Sequence, residues 1–215
     1  MSSIISQPTS EVSYNQGLFF VFSAGVLWST VGISIRLIED ASVWQILLYR
    51  SLALSTFLYF VIRFRSGENP FVQVRRSGLP AAFAGLALVA AYSGGIYSIK
   101  VIPVANALLL FATAPFMAAV LGWIVLRERV RYTTWIAILV AIGSIMIMVS
   151  GQTSNGALDG TLAALGSAFG FALFTIALRW GRSEEMLPAV FLSGVFTIVI
   201  ASIICLLMGL PFVLS

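Results

Sequence analysis

The chain has 215 residues, of which 60% are hydrophobic and 9% charged, with a net charge of +4. A soluble domain carries about 25% charged residues, so this balance excludes a soluble globule and indicates a polytopic membrane protein. With no histidine and a single cysteine, Cys205, the chain has no internal disulfide, Ser–His protease dyad, zincin motif or histidine-ligated haem.

Residues 1–16 are polar and lack Lys and Arg, so no signal-peptide n-region is expected and the first apolar run stays as an anchor. Seven apolar runs follow, at about 17–38, 44–63, 78–99, 103–126, 132–150, 160–179 and 188–210. Each approaches the roughly 20 residues that a spanning helix needs. Helices are the open-chain solution in lipid, because each segment must pair its own backbone groups. The basic residues set an orientation. Arg63, Arg65, Arg75, Arg76, Arg127, Arg129, Arg131, Arg179 and Arg182 fall on one side, and Arg36 and Lys100 on the other. The excess places the N-terminus in the cytoplasm. The basic pI therefore speaks of orientation and not of nucleic acid.

The first span carries Gly25, Ser29 and Gly32 beside Trp28, a face suited to close helix packing. Trp28 lies too deep for an interfacial belt, where Trp44, Trp123, Trp135 and Trp180 fit well. In the second span, Arg50 lies about 9 Å along the helix from Trp44. An arginine at the bilayer centre costs about 2.5–3.5 kcal/mol on insertion scales. Either Arg50 snorkels to the outer interface, or it faces a cavity and meets an anionic group. The third span has Ala87, Ala91 and Gly95 at four-residue spacing, and Gly94-Gly95 is expected to loosen the helix.

The fourth span is the most elaborate. Pro103 to Leu126 contains no charged residue and would extend roughly 36 Å as a helix. Pro115 removes a backbone bond and predicts a kink near Phe111. Asn106, Leu110, Thr113 and Met117 form a partly polar line. Ala114, Ala118 and Gly122 form a small-residue seam. At the end, Glu128 stands between Arg127 and Arg129. It is either a weak interfacial ion pair or a latch between helix ends. Trp28, Tyr92, Tyr97, Asn106 and Thr113 are candidates to line a pathway, with end-capping an alternative for Asn106. The sixth span carries Gly166-x-x-x-Gly170 with Ser167, a further packing seam.

A displacement of 143 residues puts Gly17 on Gly160, Trp28 on Phe171 and Ile35-Arg36 on Leu178-Arg179. Five spans separate the two starts, so a second copy would be inverted, a construction typical of secondary transporters. The reading expects segments at 1–16 (polar cytoplasmic N-terminus), 17–150 (first five-helix repeat) and 160–215 (partial second repeat). About three further spans would complete the second copy. The expected fold is all-α: a polytopic α-helical membrane protein of seven transmembrane helices, one complete repeat plus two helices of an inverted second.

These residues resemble the EamA-type members of the drug/metabolite transporter superfamily. The marks are Trp28-Ser29, Arg50, Tyr97, Ala105, Pro115, Glu128 and Gly143, in that order. The resemblance implies ten helices in two inverted repeats, and a carrier of small metabolites such as amino acids working by alternating access. No enzyme activity, cofactor or metal is expected. Trp28, Arg50, Tyr97 and Pro115 would line the cavity or gate a helix, and Glu128 would be a structural or gating carboxylate. The expected partners are the lipid bilayer, a small metabolite and a second copy of the chain, with no nucleic acid. The expected location is the bacterial plasma (inner) membrane. The alternative is a non-transporting fragment or membrane scaffold that a partner completes.

Overall fold

The computed structural model describes residues 14–38, 41–150, 156–181 and 186–211. Arg182 and most of the polar N-terminal segment lie outside the described residues. Every regular element among the described residues is a helix. Among the described residues, seven spans are long and apolar enough to cross a membrane.

The first, α1 (Tyr14–Leu37), belongs to a unit of its own, Met1–Ile38. Two of its hydroxyls bond within the helix: Thr30 Oγ1 donates to the Leu27 carbonyl and Ser34 Oγ to that of Thr30. This internal pairing is what a helix in lipid requires.

The second unit begins with α2 (Val43–Ser66). Ser42 caps it with a reciprocal pair: its Oγ accepts from the Gln45 N–H at 3.2 Å, and its N–H donates to Gln45 Oε1 at 2.8 Å. A polar side chain at each end of such a box satisfies two orphan donors. Gln45 is buried, and its Nε2 also donates to the Pro211 carbonyl at 2.7 Å. Lys100 donates to the Ala41 carbonyl nearby. One end of the bundle is thus closed by backbone-directed hydrogen bonds.

Asn69 caps α3 (Pro70–Val101), with Pro70 in the first turn. The helix is broken at Gly78, whose φ of 65° and ψ of −154° fit glycine alone. The break also frees Pro80 from clashing with a preceding helical turn, since it sits at the start of a new run. Residues 70–77 fall between the apolar runs 44–63 and 78–99, where the sequence predicts a loop; they form a short helical piece instead. Its Phe71 packs edge-to-face on Phe191 at 5.3 Å, and Val74 covers a cluster of Leu58, Ile62 and Phe191. The apolar contacts explain why this segment is helical despite its two arginines.

The fourth span is divided into α4 (Val104–Phe111) and α5 (Ala114–Val125). Pro115 cannot donate to the Phe111 carbonyl, so the ladder is interrupted where the proline predicts. Then come α6 (Tyr132–Ser150), α7 (Ala157–Trp180) and α8 (Leu187–Leu207). In α6 only Ile138 is buried.

The core is the crossing of α3 and α7. They run antiparallel: Ile102 lies against Gly160, Ala91 against Gly170, and Pro80 against Gly181. A Cβ on Gly170 would lie 2.8 Å from the Ala87 carbonyl oxygen and 2.9 Å from the Ala91 nitrogen. A Cβ on Gly94 would lie 2.7 Å from the Ala163 carbonyl oxygen. Ser167 Oγ donates to the Ala91 carbonyl at 2.7 Å. Small residues let the backbones approach, and the hydroxyl bridges them, as in other membrane helix pairs. Only half of the expected Gly166-x-x-x-Gly170 seam is packed. Gly166 faces open space, so the seam runs through Ala163, Ser167 and Gly170. In the same way α8 sits against α2 through Gly194 and Ser55, and against α3 through Ser193 and Gly85.

Displaced by 143 residues, the bounds of α1 fall on 157–180, those of α7. The bounds of α2 fall on 186–209, against Leu187–Leu207 for α8.

Candidate functional site

Two features stand out from the packing. The first is Arg50, on the third turn of α2. Its guanidinium carbon lies 4.0 Å from the centroid of the Tyr92 ring on α3. Its Nη1 is buried and has no hydrogen-bond partner. A cation over an aromatic face gains roughly 0.5–2 kcal/mol. An orphaned buried donor costs about 1–3 kcal/mol. The ring therefore does not fully compensate the guanidinium, which keeps a directed N–H for an acceptor. The next two residues on α2 with orphaned groups are Ser51 and Ser55, whose hydroxyls are buried and unpaired one turn apart. Ser55 faces Gly194 of α8, where a Cβ would come within 2.2 Å of its Oγ.

The candidate residues divide as follows. Tyr92 meets Arg50, whereas Tyr97 is 39% exposed. Five residues further along a helix, Tyr97 points about 140° away from Tyr92. Thr113 is buried, but its Oγ1 donates to the Leu110 carbonyl at 2.6 Å. The hydroxyl thus serves the helix break. Asn106 is half-buried on α4, and Pro115 is exposed in the first turn of α5. No hydrogen bond or ring contact joins Tyr97, Asn106 or Thr113 to Arg50. Trp28 lies on α1, in the separate unit Met1–Ile38.

The second feature is an ion pair at the other end of the bundle. Arg179 Nη1, at the end of α7, donates to Glu128 Oε2 at 2.7 Å. Both side chains are about half exposed, at 54% and 51%. The partner is therefore an arginine 51 residues away and not one of the flanking arginines. Local structure delivers Glu128 to it. Arg127 adopts a left-handed conformation with φ 54°, which costs a non-glycine residue about 1–2 kcal/mol. That turn lets the Glu128 N–H reach back to the Gly122 carbonyl at 3.2 Å. Gly122 in turn leaves room for the pair: a Cβ there would lie 3.3 Å from Glu128 Oε2. The seam of Ala114, Ala118 and Gly122 thus ends under the ion pair.

Among the described residues, no three of His, Cys, Asp and Glu come together as metal ligands. The two polar contacts singled out are instead the Arg50 cation on the Tyr92 ring and the Glu128–Arg179 bridge between helix ends.

The family model of the EamA-like transporter family matches residues 15–150. That segment runs from the start of α1 to the end of α6 and includes Arg50, Tyr92, the broken fourth span and Glu128. No curated protein and no solved structure matches the chain significantly. With the match covering more than half of its length and seven helices able to cross a membrane, this chain is an integral membrane protein that belongs to the EamA-like transporter family.

Proposed function

We propose that this chain is a secondary carrier of small metabolites bearing an anionic group, amino acids or related compounds, and that it works by alternating access. The observation that carries the reading is Arg50 Nη1, buried and unpartnered beside the Tyr92 ring. A carboxylate placed there would accept the free N–H in a charge-assisted bond, which is stronger than a neutral one. Snorkelling is disfavoured, since the nitrogen is covered by protein atoms.

Three further observations support alternating access. The coincidence of helix bounds at a displacement of 143 residues supports two copies of one unit, 17–150 and the start of another from 160. The break between α4 and α5 provides a hinge at Thr113 and Pro115. The half-exposed Glu128–Arg179 pair is weak enough to open within a transport cycle. The arginine-rich loops support a cytoplasmic N-terminus in a plasma membrane.

The test is uptake of labelled amino acids and related acids into liposomes carrying the purified chain. The reading expects at least one anionic substrate to move in a saturable way. If no member of a broad metabolite panel moves, the reading fails and a scaffold role replaces it.

A further inference from the structure

Beside the ion pair, the turn between α5 and α6 borders an open surface cleft of about 620 Å³. Its walls include Trp123 and Ile124 from α5, Trp135 from α6, and Arg127 and Arg129 from the turn. The two tryptophan rings meet edge-to-face at 5.4 Å and an interplanar angle of 88°. They join two helices that otherwise touch little. Trp123 remains 50% exposed.

The charge in the cleft is unbalanced. Glu128 also lines it, but its carboxylate is engaged by Arg179. Among the described residues, Arg127 and Arg129 have no hydrogen bond or ion pair. Arg127 and Arg129 thus line a cleft whose acid is already paired. Below the cleft the surface is apolar. Ile136, Leu139 and Val140 of α6 are 47%, 69% and 64% exposed, and Ile124 of α5 is 60% exposed. Ile138 is the one buried residue of α6, and the rest of its apolar surface is left open. A polar cleft with free cations, an aromatic rim and an apolar wall matches one ligand in its parts. Phosphate meets guanidinium, the glycerol backbone meets tryptophan at the interface, and an acyl chain follows the helix.

We propose that this cleft is a binding site for one anionic phospholipid of the phosphatidylglycerol class, held through its phosphate by Arg127 and Arg129. The left-handed turn at Arg127 contributes by directing Glu128 toward Arg179 and out of competition with the lipid phosphate. The bound headgroup would then lie next to the Glu128–Arg179 bridge, outside the transport pathway at Arg50.

The test uses the full chain in vesicles of phosphatidylcholine with a small fraction of brominated phosphatidylglycerol, or of brominated phosphatidylcholine with the same chains. Bromine quenches tryptophan on contact. Brominated phosphatidylglycerol should quench more strongly at a low fraction, and the excess should vanish in the Trp123→Phe/Trp135→Phe variant. Arg127→Gln/Arg129→Gln should weaken the apparent affinity about tenfold or more. Arg65→Gln/Arg75→Gln, at the end of α2 and the start of α3, should leave it unchanged. Millimolar inorganic phosphate should not remove the excess quenching. Equal quenching by the two lipids in the unaltered chain overturns the proposal, and that measurement does not depend on any variant folding. An equal loss in the Arg65/Arg75 variant also overturns it, as does displacement by inorganic phosphate, which would make the ligand a soluble anion.

Discussion

Arg179 of α7 and Glu128, just past α5, meet at 2.7 Å across the end of the bundle. The pair ties the end of the fourth span to the end of the sixth, which run side by side with Gly122 against Ile176. Both groups are half exposed, so the bond is worth about 1 kcal/mol or less, screened by salt. A contact of that strength suits a latch better than a staple. Glu128→Lys alone should alter the transport rate severalfold with little change in thermal stability. Glu128→Lys with Arg179→Glu should restore much of the rate. Rates in liposomes, with unfolding in detergent alongside, check both. An additive double variant would show that the two residues do not act as a pair.

The close crossing of α3 and α7 predicts a contrast between two glycines four residues apart. Gly170→Ala would push a methyl into the backbone at Ala87 and Ala91. Overpacking of this kind costs about 1–3 kcal/mol, and here rigid backbone stands in the way. Gly166→Ala meets nothing within 4 Å and should fall within about 0.5 kcal/mol of the parent. Thermal unfolding in detergent should separate the two by several degrees. Equal behaviour would contradict this packing.

Much of this fold can be read in the sequence, and the reasons differ by element. The spans are legible because lipid demands long uncharged runs, and the Pro115 break because proline lacks an N–H. The helical piece at 70–77 is not legible, since Arg75 and Arg76 mark it as loop and its apolar partner Phe191 lies far along the chain. The seam on α7 misleads for a related reason. Gly166-x-x-x-Gly170 fits a known spacing, but the face is chosen by α3, which selects Ala163, Ser167 and Gly170. Arg50 announces itself as a cation in an apolar run. Its ring, Tyr92, and the partner of Glu128, Arg179, are set by tertiary packing alone. Nothing local distinguishes Tyr92 from Tyr97 until α2 is laid against α3.

The broken fourth span predicts a measurable local weakness. Pro115 leaves the Phe111 carbonyl without its usual donor, and Thr113 Oγ1 spans the gap to Leu110 instead. Pro115→Ala restores the N–H and permits a continuous helix. Amide hydrogen exchange at residues 112–117 should slow in this variant, and transport should fall if the break acts as a hinge. Unchanged exchange would show that the break is imposed by packing and not by the proline.

The buried capping side chain at the opposite end gives a further expectation. Gln45 holds Ser42 and, through Nε2, the Pro211 carbonyl. Gln45→Ala removes both bonds and should cost about 1–3 kcal/mol, as for other buried partners lost on one side. Gln45→Glu keeps the acceptor for Ser42 but removes the donor to Pro211. It should lower thermal stability and increase protease access near residue 211. Wild-type stability in both variants would contradict the role given to Gln45.

The central claim is that Arg50 Nη1 receives the anionic group of the substrate, and one comparison tests it most directly. Once a transported amino acid is found, its uptake is measured beside that of the amine lacking the carboxylate, in the parent and in Arg50→Ala. A site built around a buried charged donor should prefer the acid by well over tenfold. The account predicts that Arg50→Ala abolishes this preference, while Arg65→Ala leaves it intact. An Arg50→Ala protein that still prefers the acid as strongly as the parent would contradict the account.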